Sequence, residues 1–198
     1  MARGRLIAFE GLDQSGKQTQ AEWLVTALAD AGHTVRTVSF PDYTTAIGAE
    51  IGQALQGQRP YGPDVLQLLY IANRYEHAPA IQAWLAEGAM VVADRYAASS
   101  LAYGDAQGLD LPWLTDVQRL LPAADLTFLL DIAPETSLAR KRAARDKFER
   151  DLPLLSRVRD SYTRQAQAAG WQFVDGTRAP EAVREDILSA VRARLGLL

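Results

Sequence analysis

Short apolar runs alternate with longer stretches of helical periodicity from one end of the chain to the other. Leu6-Ile7-Ala8-Phe9 is continuous and apolar, too short for a buried helix, and reads as a buried strand. Gln18-Thr19-Gln20-Ala21-Glu22-Trp23-Leu24-Val25 then sets off at helical spacing, and Gly32 stops it. Thr34 to Phe40 alternates as a strand does, and Pro41 ends the run. Thr44 to Gln56 predicts a helix, with Ile47, Ile51 and Leu55 recurring on one side, and Gly57 to Pro63 predicts a loop. Asp64 to His77 is helical, with Val65, Leu66, Leu68, Leu69 and Ile71 apolar. Ala78 to Glu87 continues it, and Gly88 closes it. Three more apolar runs predict strands at Ala89 to Asp94, Leu126 to Asp131 and Trp171 to Asp175, and the last helix is expected over Glu181 to Leu195.

Five strands, mostly too apolar to face water and each followed by helix, imply an α/β fold. Its parallel sheet carries helices on both faces. In such a sheet the functional loops lie beyond the carboxyl ends of the strands. The segments expected to converge are therefore the loop after Phe9, Phe40-Pro41-Asp42-Tyr43, Asp94-Arg95-Tyr96, the residues after Asp131, and Asp175-Gly176-Thr177-Arg178. With 198 residues and no repeat, low-complexity tract or linker, one domain is expected.

The first loop carries chemistry. Gly11-Leu12-Asp13-Gln14-Ser15-Gly16-Lys17 has the glycine spacing and lysine of a phosphate-binding P-loop, between a strand and a helix as that motif requires. Glycines let backbone N–H groups wrap a polyphosphate, and the helix start adds unsatisfied N–H groups and a positive dipole end. The lysine brings a full charge to the outer phosphates. A hydroxyl residue usually follows the lysine and binds magnesium; here Gln18 stands there and Thr19 comes one later. The plain alternative is a strand–turn–helix with a surface lysine. The fold class expected is the P-loop NTPase fold.

Composition narrows the rest. There is no cysteine, which excludes disulfides and thiolate metal sites, and no apolar run is long enough to span a membrane. The N-terminal apolar run ends at Glu10, so no signal peptide is expected and the cytoplasm is the expected location. A net charge of −3 argues against bulk affinity for nucleic acid. Six basic residues nonetheless fall between Arg140 and Arg150: Arg140, Lys141, Arg142, Arg145, Lys147 and Arg150. Glu135 to Arg145 is expected to be helical, with Arg142 and Arg145 on one face. Such a run is either a solvated face or an arginine lid that folds over phosphates and excludes water. The P-loop favours the lid. His33 and His77 read as surface residues, and Trp23, Trp84, Trp113 and Trp171 as core packing.

Taken together, Phe9 to Lys17, Phe40-Pro41-Asp42, Ala72-Asn73-Arg74, Asp94-Arg95-Tyr96 and the following Ala97-Ala98-Ser99-Ser100-Leu101-Ala102-Tyr103 resemble the thymidylate kinase family over residues 5 to 190. The resemblance implies transfer of the ATP γ-phosphoryl group to thymidine 5′-monophosphate (dTMP), with magnesium, by a homodimer. It implies an ATP site on Gly11, Leu12, Asp13, Gln14, Ser15, Gly16, Lys17, Gln18 and Thr19, with Arg140 and Arg178 at the adenine. The dTMP site would comprise Asp13, Phe40, Pro41, Tyr43, Tyr70, Arg74, Arg95, Ser99, Ser100, Tyr103 and Glu149. Arg95 would hold the acceptor phosphate, Tyr70 would stack on thymine, and Arg74 and Ser100 would meet its edge. Asp13, Lys17, Arg95, Arg142 and Arg145 would act in catalysis, and Asp13 and Asp94 would hold magnesium, in part through water. Gln14 is not basic, as its counterpart is in some relatives, so the chain resembles the bacterial type with an arginine-rich lid.

Residue chemistry supports part of this independently. Tyr70 and Arg74 are one helical turn apart and can offer a flat wall and an edge donor, although core packing is the plainer role for Tyr70. Arg95 alternatively pairs with Asp94. Tyr103 follows Tyr96 by seven residues, so on a helix both rings would share a face. By resemblance, the Tyr103 ring would exclude a 2′-hydroxyl. Competing functions are a kinase of another nucleoside or nucleoside monophosphate, and a P-loop regulatory ATPase.

Overall fold

The computed structural model describes residues 3–140 and 151–198. Its strands are β1 (Leu6–Glu10), β2 (Val35–Ser39), β3 (Met90–Asp94), β4 (Leu126–Asp131) and β5 (Gln172–Asp175). The helices among the described residues are α1 (Lys17–Asp30), α2 (Ala46–Leu55), α3 (Pro63–Ala86), α4 (Ala97–Ala106), α5 (Leu111–Val117), α6 (Pro134–Arg140), α7 (Leu152–Ala169) and α8 (Pro180–Leu195).

All strand pairs are parallel, in the order β2-β3-β1-β4-β5. β1 lies at the centre, with Ile7 in register with Val92 on one side and Leu126 on the other. The chain leaves β1 toward β2 and β3 on one side and returns to β4 and β5 on the other. The reversal opens a crevice at the end of β1, where ligands bind in sheets of this kind.

Every residue of β1 is buried, because alternate side chains enter different layers. Ile7 and Phe9 join Val92, Phe128 and Leu130 under α1 and α8, where Phe9 and Phe128 stack at 5.2 Å. Leu6 and Ala8 join Val91 and Ala93 under α3. Leu129 and Ile132 extend that second side beneath α4 and α7. Each buried Leu, Ile or Phe contributes about 1.5–3 kcal/mol, enough to hold the strand ends in register for the loops they carry.

The two helical stretches expected after residue 63 form the single helix α3, with Pro79 inside it on the solvent side. The tryptophans depart from expectation: Trp23, Trp84, Trp113 and Trp171 are each only partly buried. Trp23 offers its ring face to Arg184 at 5.7 Å, and Trp84 and Trp171 cover the edges of core clusters. An indole is too large to vanish into a two-layer core of this size.

Candidate active site

The P-loop takes the shape its glycines permit. Gly11 has φ +136, and a Cβ there would lie 2.3 Å from the Leu130 carbonyl oxygen, so only glycine lets β1 turn beside β4. Gly16 is left-handed at φ 96 and forms the N-cap of α1. Gln14, at φ 60, is left-handed too. Lys17 is 6% exposed and its Nζ donates to the Leu12 carbonyl at 2.8 Å. Burial, then the nearby Arg95 cation, lower its pKa from 10.5 to about 8, against the pull of Asp13, Asp94 and Glu10. The lysine is thus poised inside the loop rather than extended from the surface. Ser15 Oγ is buried there without a hydrogen-bond partner.

Asp13 stands between the loop and the next strand end. Its Oδ1 accepts from Arg95 Nη2 at 2.6 Å, while Ser137 on α6 donates to its backbone carbonyl at 2.7 Å. Arg95 follows β3 with a left-handed backbone, φ 62, an uncommon conformation for a non-glycine residue and one that the surroundings must enforce. Burial opposes its charge, but Asp13, Tyr103 and Tyr162 outweigh it and raise its pKa. The pairing with Asp94 considered from sequence does not form; the partner is Asp13. Asp94 Oδ1 is instead buried with no partner.

Beside this pair lies a cavity of about 110 Å³ lined by Asp13, Phe40, Pro41, Tyr43, Tyr70, Arg74, Arg95, Ser99, Ser100 and Tyr103, with Leu55 and Gln67. Arg74 is 2% exposed; its Nη1 donates to Ser100 Oγ at 2.7 Å and its guanidinium lies 5.8 Å from the Phe40 ring centre. Its Nε is buried without a partner. Burial pulls its pKa down while Glu10 and Tyr162 hold it up. The Arg95 guanidinium lies 5.8 Å from the Tyr103 ring centre. Tyr96 and Tyr103 do not share a face. Tyr96 is the N-cap of α4, with a non-helical backbone at φ −151 and ψ −147, and its ring joins Phe40 at 6.0 Å in the core under α3. A spacing of seven aligns two rings only when both residues are inside the helix.

Other expected residues fall around the donor side. Arg140 donates to the carbonyls of Gln14 and Gly176, each at 3.1 Å, and so ties the P-loop to the loop after β5. Arg178 pairs with Asp186 on α8. Gln18 is exposed and donates to Glu22 at 2.9 Å, and Thr19 is also exposed. Arg142, Arg145 and Glu149, with the other residues of the expected lid after Arg140, lie outside the described residues.

Several residues of the site escaped the sequence reading. Asn73, fully buried, accepts from Asp42 N at 2.8 Å and donates to Asp42 O, Thr45 and Glu76, locking the loop that carries Phe40, Pro41 and Tyr43. His77, expected at the surface, pairs with Asp42 at 3.1 Å and packs its edge on Phe40. Glu10 and Tyr162 form a buried group behind Arg95. Glu10 had a signal, a carboxylate closing an apolar strand, and Asn73 stood in the Ala72-Asn73-Arg74 stretch without a role; Tyr162 had none.

For magnesium, no cluster of three or more acidic, His or Cys side chains exists among the described residues. Magnesium takes one or two carboxylates and completes its shell with water and phosphate oxygens. The partnerless Asp94 Oδ1 beside Lys17 is a fitting donor. No helix of the described residues is long and apolar enough to cross a membrane.

A lysine loop and an arginine pocket joined through Asp13 at the switch point of a parallel sheet make the fold and site those of a P-loop phosphotransferase. The family model described as "Thymidylate kinase" matches residues 9–187. The chain is 34% identical to the thymidylate kinase of Schizosaccharomyces pombe over 96% of its own length and 92% of that protein's. It is 36% identical to that of Thermomicrobium roseum, covering 93% of each. The solved structure of Candida albicans thymidylate kinase superposes with a TM-score of 0.83 at 28% identity, covering 98% of this chain and 93% of that one. The chain belongs to the thymidylate kinase family, whose reaction is phosphorylation of dTMP to dTDP.

Proposed function

We propose that this chain transfers the γ-phosphoryl group of ATP to dTMP as one kinase domain, and that the residues above divide the work as follows. The carrying observation is the Asp13–Arg95 pair, 2.6 Å apart, which joins the P-loop to the acceptor cavity. Gly11 to Thr19 cradle the donor phosphates with backbone N–H groups, and Lys17 supplies the charge. Arg140 and Arg178 border the adenine. On the acceptor side Arg95 holds the 5′-phosphate, helped by Ser99. Tyr70 faces the thymine ring, Arg74 and Ser100 meet its edge, and Phe40, Pro41 and Tyr43 close the sugar side. Tyr103, whose ring the Arg95 guanidinium approaches, is assigned by the family resemblance to exclude a 2′-hydroxyl.

Positioning and electrostatics do most of the work in phosphoryl transfer, since the transition state is loose and its charge is spread over the transferred oxygens. Lys17 and Arg95 place cations on the two sides of that group. Asp13 fixes the Arg95 head and is, among the described residues, the carboxylate that lines the acceptor cavity. Asp94 and Asp13 are the groups that would hold magnesium, which when bound offsets phosphate charge. Arg142, Arg145 and Glu149 are assigned to the lid by the family resemblance. The enzyme is further proposed to be cytoplasmic and homodimeric, acting on nucleotides and not on nucleic acid.

The test is ATP consumption with and without acceptor. With dTMP the chain should turn over at roughly 1–100 s⁻¹, the ordinary range for kinases, and without it far more slowly. Equal rates in both would overturn the kinase reading in favour of an ATPase. Faster turnover with another monophosphate would reassign the acceptor.

A further inference from the structure

Arg95 is gripped from behind as well as from the front. Its Nη2 goes to Asp13, but its Nη1 donates to two hydroxyl oxygens, Ser99 Oγ and Tyr162 Oη, each at 3.3 Å. Those two oxygens are 2.8 Å apart, and both reach one oxygen of a third group: Glu10 Oε2 lies 2.7 Å from Ser99 Oγ and 3.0 Å from Tyr162 Oη. The other carboxyl oxygen of Glu10 accepts from the Tyr96 backbone N–H at 2.8 Å. Glu10 is 0% and Tyr162 1% exposed, and neither lines the acceptor cavity. They cannot touch substrate, yet they lie behind the cation assigned to its phosphate.

The direction of the hydrogens explains the arrangement. A hydroxyl has one hydrogen and can accept from Arg95 only when that hydrogen points elsewhere. Glu10 Oε2 draws both hydroxyl hydrogens toward itself, which leaves the lone pairs of Ser99 and Tyr162 facing Nη1. The guanidinium is then fixed along one edge while its stem sits on strained backbone. Burial raises the Tyr162 pKa well above its ordinary value, so the phenol keeps its hydrogen at any working pH.

We propose that Tyr162 is a positioning residue for Arg95, with Glu10 as the acceptor that aims its hydroxyl, so that together they tune how tightly the acceptor phosphate is held. The proposal rests on the reading that Arg95 binds that phosphate. It predicts an effect confined to the phosphate: the bound nucleoside should not feel the change.

The experiment compares calorimetric affinities for dTMP and for thymidine, which lacks the phosphate, in wild type, Tyr162→Phe, Glu10→Gln and Arg95→Ala. Tyr162→Phe keeps the ring within its apolar cluster and removes only the hydroxyl. It should weaken dTMP binding by roughly tenfold, as loss of a hydrogen bond to a charged group does, while thymidine binding changes less than twofold. Glu10→Gln should act likewise, because its amide N–H groups would turn the hydroxyl hydrogens back toward Arg95. Circular dichroism melts establish that each variant is folded, and if Tyr162→Phe is not, Glu10→Gln decides. Equal weakening of both ligands would make the pair ordinary packing and overturn the proposal, as would an unchanged ratio alongside a collapsed ratio in Arg95→Ala. An unchanged ratio in Arg95→Ala itself would instead overturn the assignment of the phosphate to Arg95.

Discussion

Lys17 carries a charge that its position discourages. The ammonium is buried among a carbonyl, a nearby arginine and carboxylates, and its pKa falls from 10.5 to about 8. Two consequences follow with definite sign. Below pH 8 the folded chain must keep a desolvated cation, so this group makes folding less favourable there. That cost is relieved as pH rises from about 8 toward 10.5, where the unfolded chain binds the extra proton. Function runs the other way, because only the protonated amine stabilises phosphate. We expect kcat/KM for ATP to fall on an alkaline limb with its midpoint near pH 8 in the free enzyme, and the limb of kcat to lie higher once phosphate holds the proton. A pH profile flat to 9.5 would exclude that role. At this scale sequence spoke clearly where chemistry was local: Gly11, Gly16 and Lys17 by spacing, Arg95 by its place at a strand end. It marked Glu10 as a carboxylate closing an apolar strand but gave no hint of its partner Tyr162, 152 residues away, through which its role makes sense.

At the scale of elements, the acceptor cavity depends on a loop holding its shape between β2 and α2. Thr45 caps α2 by accepting from Gly48 N at 3.0 Å, and a Cβ at Gly48 would lie 1.8 Å from the Asp42 carbonyl oxygen. The loop is therefore pressed onto the helix, and Asn73 on α3 binds both backbone groups of Asp42. Asn73→Ala leaves these groups and Thr45 without their buried partner, at a cost of about 1–3 kcal/mol in urea unfolding. The KM for dTMP should rise more than the KM for ATP, because Phe40, Pro41 and Tyr43 on this loop line the acceptor cavity. Unaltered kinetics with lowered stability would limit Asn73 to folding. The strands themselves were readable because a doubly covered strand is an unbroken apolar run, and helix ends because glycine marks them. Tyr96 was misread, since its ring direction follows from a cap conformation that spacing does not encode.

The whole molecule adds what no local pattern contains. Nothing in the five apolar runs states that the order is β2-β3-β1-β4-β5, yet that order puts the P-loop between the loops of β3 and β4 and so makes one site of several strand ends. The same scale holds the remaining question of assembly. Val65 and Leu68, three residues apart on α3, are 39% and 42% exposed, whereas the other large exposed apolar side chains among the described residues, Tyr43, Leu120 and Phe173, lie on separate segments. Residues at this spacing share a helix face, and α3 has 24 residues, so two copies of the helix can pack along much of their length. A two-fold axis beside α3 would set the same stripe against itself, as symmetric dimers do. Its other face carries Tyr70 and Arg74 into the cavity, so pairing would also brace the base-binding wall. We expect sedimentation to give about twice the 21.7 kDa chain mass, with a melting temperature that rises with protein concentration because association stabilises the folded state. Leu68→Asp places a charge against its own copy across the axis and should yield monomers that melt lower and independently of concentration. Their KM for dTMP should rise more than their KM for ATP. A wild-type chain sedimenting at the mass of one copy would remove the dimer, and a Leu68→Asp variant that stayed dimeric would move the interface away from α3.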